Sequence, residues 1–166
     1  MADANKTLIT RAEFSSIITP ATGRRALLID GETTELGDTG PRDLSGLFIT
    51  SAVASGQVVV QRRGNVVEWQ LINVVLPAGA TASWPILSNT DLGGILAPFM
   101  GSSGSRLSTG IVNGGDTARV RVSNGGNVEL HYAETGVAWN FTLTLLTDRA
   151  WPTTLPGVAL GSPVGV

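Results

Sequence analysis

The sequence predicts an all-β protein: an antiparallel β-sandwich with jelly-roll-like connections, preceded by a short N-terminal arm with one or two helical turns. Three observations predict it. From Thr39 onward, apolar residues recur with period two, the spacing of a strand with one buried face. Turn formers are dense, with 21 glycines and 8 prolines spread through the chain. The composition is 42% hydrophobic and 14% charged over 166 residues, enough apolar material for one core in a chain of single-domain length.

Taken in order, residues 1–36 form the arm and residues 37–166 the sandwich, which ends in an extended Pro/Gly-rich tail. In the arm, Thr10 and Glu13 fit a capping box that predicts a short helix over Arg11–Ile17. Pro20 ends it by pushing Thr19 out of the α region. Arg24 and Arg25 then lead into the apolar run 26–29, and the carboxylates Asp30, Glu32, Glu35, Asp38 and Asp43 read as a solvated linker patch. Leu44–Thr50 is predicted as the first strand, Gln57–Arg63 as the second and Val66–Val74 as the third. Gly64-Asn65 joins the last two in a type II′ turn, with glycine taking the positive φ. Val67, Trp69 and Leu71 share the inner face of that third strand.

Residues 77–108 read as loop-rich, crossed by one short strand at Gly94–Phe99. A hairpin follows, in which Ala118, Val120 and Val122 alternate with Arg119 and Arg121, and Val128, Leu130 and Tyr132 alternate with Glu129 and His131. On its outer face Glu129 faces Arg119 or Arg121 across the strands. The last long strand, Val137–Leu146, puts Trp139, Phe141, Leu143 and Leu145 inside and Asn140, Thr142 and Thr144 outside. Seven or eight strands result.

Charge and composition narrow the function classes. A net charge of −2 with a pI near 5.3 leaves no excess of cations for a phosphate backbone, so nucleic acid is not an expected partner. The absence of cysteine rules out disulfides, thiolate metal sites and thiol nucleophiles. No apolar run is long enough to span a bilayer and the start lacks an apolar signal core, so neither membrane insertion nor export is expected.

The single histidine, His131, falls on an outer strand face and lacks the setting of a general base. The run Gly101–Ser105 does not fit a nucleophile elbow, and no phosphate loop is present. No carboxylate pair is singled out by spacing for glycan hydrolysis. The expectation is therefore a non-enzyme with no cofactor, no metal and no catalytic residue. Sugar-binding surfaces stack sugar faces on aromatic rings beside polar side chains. Trp84, near Asn89 and Asp91, is the ligand-binding candidate, while Trp69 and Trp139 read as core.

Residues 38–47 (DTGPRDLSGL), 56–60 and 62–67 (RRGNVV), followed by Trp151-Pro152 and the closing 153–164, resemble the C-terminal module of minor tail proteins and tail fibres from phages of actinobacteria. The resemblance covers about residues 37–166, and Pro41 stands where the module usually has an aromatic. It implies a virion structural protein made in the host cytoplasm, a short tail appendage or fibre forming a homotrimer and contacting host cell-surface glycans. The alternative is a capsid decoration or head-fibre protein held by its arm. In either case other virion proteins grip residues 1–36, with Phe14, Ile17, Ile18, Arg24 and Arg25 as anchoring candidates. Asn140, Thr142, Thr144 and Trp151 are the candidates for subunit contact.

Overall fold

Period-two alternation becomes two antiparallel sheets in a computed structural model that describes residues 26–29, 32–35, 37–101, 106–111, 117–123 and 126–161. A hairpin of β1 (Ala26–Ile29) and β2 (Glu32–Glu35) comes first. The first sheet contains β3 (Arg42–Asp43), β4 (Ser55–Arg63), β5 (Val66–Val75), β10 (Ala138–Leu146) and β11 (Val158–Ala159), in the order β10-β5-β4-β3-β11. The second contains β6 (Ser83–Ser88), β7 (Arg106–Ile111), β8 (Thr117–Val122) and β9 (Asn127–His131), in the order β6-β9-β8-β7. The pairs β3·β11, β5·β10, β6·β9 and β7·β8 are nested in sequence, as in a jelly roll, and β6 to β9 make a Greek key. The chain crosses between sheets from β5 to β6 and returns from β9 to β10, and the backbones of β7 and β10 run close together.

The two inner faces share one core. Val58, Val60, Val67, Trp69, Leu71, Trp139, Phe141, Leu143 and Leu145 come from the first sheet, and Ile86, Leu87, Ala118, Val120, Val122, Val128 and Leu130 from the second. Each large aliphatic side chain so buried contributes roughly 1.5–3 kcal/mol. Trp139 and Phe141, two residues apart on one face, stack with centroids 6.1 Å apart. The predicted Gly64-Asn65 turn is found: Arg63 pairs with Val66, Gly64 has φ +54, and Asn65 is not among the residues with positive φ, which selects type II′ over I′. In the β8–β9 hairpin Arg121 stands opposite Glu129, 3.5 Å from its carboxylate.

Four expectations are corrected. Leu44–Thr50 is not a strand. Asp43 Oδ1 accepts hydrogen bonds from the Ser45 amide (2.8 Å) and hydroxyl (2.6 Å), ending β3 and starting a 3-10 turn at Ser45–Leu47. The following segment bridges the sheets, the Ile49 amide donating to Ile86 O at 2.9 Å.

Gly94–Phe99 is a turn followed by a 3-10 turn at Ala97–Phe99, with Leu96, Phe99 and Met100 plugging the core. Gly93 and Gly94 both have positive φ there, which breaks a strand. The strand of this region is instead β6, and residues 106–108, read as loop, belong to β7.

Tyr132 does not face inward. At φ +58 it leaves the ladder and lies 67% exposed. Finally, Asp38 and Asp43 are not members of a solvated patch but are hydrogen-bonded into the sheet. The helix predicted over Arg11–Ile17 and the anchoring candidates Phe14, Ile17, Ile18, Arg24 and Arg25 lie outside the described residues.

Candidate functional site

Two arginines organise one corner of the molecule. In β4, alternation puts Val58, Val60 and Arg62 on the inner face, and Arg62 is 1% exposed. Its guanidinium donates to four main-chain carbonyls: Gly64 O (2.8 Å), Pro98 O (2.9 Å), Ala150 O (3.0 Å) and Arg149 O (2.8 Å). The same group lies 4.8 Å from the Trp151 ring centroid. Removing a charge from water costs several kcal/mol, and charge-assisted bonds of this number and geometry offset it.

Arg42 repeats the device further along the tail, donating to Pro156 O at 2.9 Å and Gly157 O at 2.8 Å; burial lowers its pKa from the ordinary arginine value. Thr39, also buried, bonds through its hydroxyl to the Arg62 amide and to Gly40 O. Asp38 accepts from Gln61 and the Gly40 amide and pairs with Arg63. The blocks 38–47, 62–67 and 151–157, far apart in sequence, thus meet in one hydrogen-bonded corner. Sequence reading gave Arg62 no role, although its register with Val58 and Val60 placed it inside.

The predicted ligand site is not assembled as an open surface. Trp84 is half-buried against the core, and its indole N–H donates to Ala52 O at 2.8 Å. Asn89 is buried, its Oδ1 accepting from the Leu96 amide at 2.9 Å, so it shapes the loop from within. Asp91 alone is exposed, at the rim of a shallow depression lined by Leu47, Phe48, Ile49, Thr50, Ser88 and Leu92. Trp84 acts like the other core tryptophans, since Trp69 Nε1 donates to Phe99 O (2.9 Å) and Trp139 Nε1 to Glu134 O (3.1 Å). A buried indole N–H requires an acceptor, and each finds a loop carbonyl.

Of the predicted subunit contacts, Thr142 and Thr144 are exposed on β10 as the alternation requires. Asn140 is exposed too but bonds within the chain, its Oδ1 accepting from the Asn73 amide at 2.9 Å and its Nδ2 donating to Asn73 Oδ1 at 3.2 Å. Trp151 is not available to a neighbour: it is 6% exposed and closes this chain's own sandwich against Arg62.

The outer face of the second sheet collects polar groups. His131 Nε2 is 3.1 Å from Glu129 Oε2, Arg121 pairs with the same oxygen, and Asn127 Nδ2 donates to Glu129 Oε1 at 3.3 Å. Arg119, opposite His131, is exposed. Among the described residues no group of three or more His, Cys, Asp or Glu side chains could hold a metal ion, and no helix is long and apolar enough to cross a membrane. Comparison with protein-family models, with curated proteins and with solved structures finds no match to this chain.

Proposed function

We propose that this chain is a virion structural protein: a short tail appendage whose β-sandwich is displayed on the particle and whose residues 1–36 attach it. One observation carries the reading. Three of the short blocks in which the chain resembles minor tail proteins and tail fibres, 38–47, 62–67 and 151–157, converge on the corner built around Arg42 and Arg62. Chance matches have no reason to meet in space, whereas a module defined by how its tail folds back would keep these positions. The chain acts by binding, without a catalytic step of its own.

The homotrimer belongs to the same proposal, and its contact is the face of β10 carrying Thr142 and Thr144, uncharged and exposed. Thr142→Glu is expected to lower the molar mass by light scattering from trimer to monomer while leaving the circular dichroism unchanged. An intact trimer in that variant removes this face from the contact.

Gold-labelled antibody against the protein, imaged on intact virions of its source phage, tests the whole reading. Label at the tail tip is the expected result. Label spread over the head replaces it with capsid decoration, and absence of label from the particle overturns it.

A further inference from the structure

Most described arginines are committed inside the molecule. Arg42 and Arg62 clamp carbonyls, Arg63 pairs with Asp38 and Arg121 with Glu129. Arg119 differs: on the outer face of β8 it is exposed and has no side-chain hydrogen bond or ion pair among the described residues. Its cross-strand neighbours in register are His131 on β9 and Thr109 on β7, neither of them acidic.

The nearby carboxylate, Glu129, is already engaged by Asn127, Arg121 and His131 and so holds those side chains in place rather than neutralising Arg119. At the end of the same strand Tyr132 is 67% exposed in a left-handed backbone conformation, its ring 6.4 Å from that of His131. A bulky side chain rarely adopts positive φ, and here the conformation swings an aromatic out of the core face and into solvent.

We propose that this face, centred on Arg119 and Tyr132 with Arg121 and His131 beside them, binds a carboxylate-bearing saccharide. The guanidinium fork of Arg119 matches a carboxylate, while Arg121, two residues on and about 7 Å away by strand rise, stays paired with Glu129 and borders the site. The Tyr132 ring offers the flat apolar surface on which a sugar face stacks, and His131 supplies a ring nitrogen for hydroxyls. The site lies on the outer face of the second sheet, whereas Trp84, in β6, packs against the core. It rests on the reading of a displayed domain that meets host glycans and gives that glycan a chemical class.

The test is calorimetric titration of the full-length protein with polygalacturonate, alginate and hyaluronate, using fully methyl-esterified polygalacturonate as the uncharged control. Saturable binding to at least one acidic polymer and none to the ester is expected. Arg119→Gln is expected to weaken binding about tenfold, the loss of one charged hydrogen-bonding partner, and Tyr132→Ala severalfold. Arg63→Gln, which removes the same charge from the other sheet, is expected to leave binding unchanged.

No binding to any of the acidic polymers, equal binding to the ester, or an Arg119→Gln protein that binds like the parent overturns the proposal. Particle labelling reads the virion assignment independently, so the two can fail separately.

Discussion

Arg62 is a cation held inside a β-sandwich by carbonyls from three separate loops and by the face of Trp151. Arg62→Met keeps much of the side-chain volume but leaves those carbonyls without this donor. We expect a loss of about 3 kcal/mol or more in urea denaturation, because unmet buried acceptors each cost about 1–3 kcal/mol.

Asp43 gives a pH signature. Desolvation alone would raise its pKa, but the hydrogen bonds from the Ser45 hydroxyl, the Ser45 amide and Gln57 outweigh it, so the net shift is downward from 3.8. A carboxyl with a depressed folded-state pKa adds stability that is present above its unfolded value and lost as pH falls through its folded value. Denaturation midpoints measured from pH 5 to pH 2 are therefore expected to fall more steeply for the parent than for Asp43→Asn, which cannot titrate there.

β11 is only two residues long, and its attachment depends on one glycine. Gly157 has φ +61, and a Cβ there would sit 2.0 Å from Asp43 O, so the backbone of the tail touches the backbone of β3. Gly157→Ala is expected to cost about 2 kcal/mol or more and to release the tail, read as loss of hydrogen-exchange protection at the Val158 and Leu160 amides.

A second set of backbone irregularities lines up across three strands. Gly56 in β4 approaches Val74 so closely that a Cβ would lie 2.5 Å from its Cα. Asn73 in β5 takes φ +50, and Asn140 in β10 bonds to it where the β10 register shifts. The period-two pattern of β10 was readable despite this bulge because the inward residues Trp139, Phe141, Leu143 and Leu145 keep their alternation through it. At β6 the pattern was not readable: Ser83–Ser88 contains Pro85 and a register shift between Pro85 and Leu87, and Ile86, Leu87 and Ser88 are buried in succession.

For the whole molecule, the core cluster draws on residues from Leu44 to Leu145, with Leu47, Phe48 and Leu155 among those packed against it. A protein beginning at Gly37 is therefore expected to unfold in a single transition, coincident by fluorescence and circular dichroism, with a urea midpoint close to that of the full chain. Two separate transitions, or failure to fold, would show that residues 1–36 belong to the cooperative unit. The nested topology makes the same point, since β5 and β10, neighbours in the first sheet, enclose the entire second sheet between them in sequence.

The all-β class, the Gly64-Asn65 hairpin, the β8–β9 hairpin with its Arg121–Glu129 pair and the inner face of β10 were all legible before any coordinates, because alternation and turn chemistry are local properties of the chain. The candidate site was much less legible. Trp84 and Asn89 looked available because they lie between turn formers, but their partners, Ala52 O and the Leu96 amide, are set by how loops pack.

Trp151 and Arg62 are 89 positions apart, and Arg119, without a side-chain partner among the described residues, stands out only once the acceptors of Arg42, Arg62, Arg63 and Arg121 are known. Periodicity along the chain says which way a side chain points. Only the closing of one sheet over the other decides what it meets, since burial turns an ordinary arginine into a clamp by removing the water that would otherwise compete for its donors.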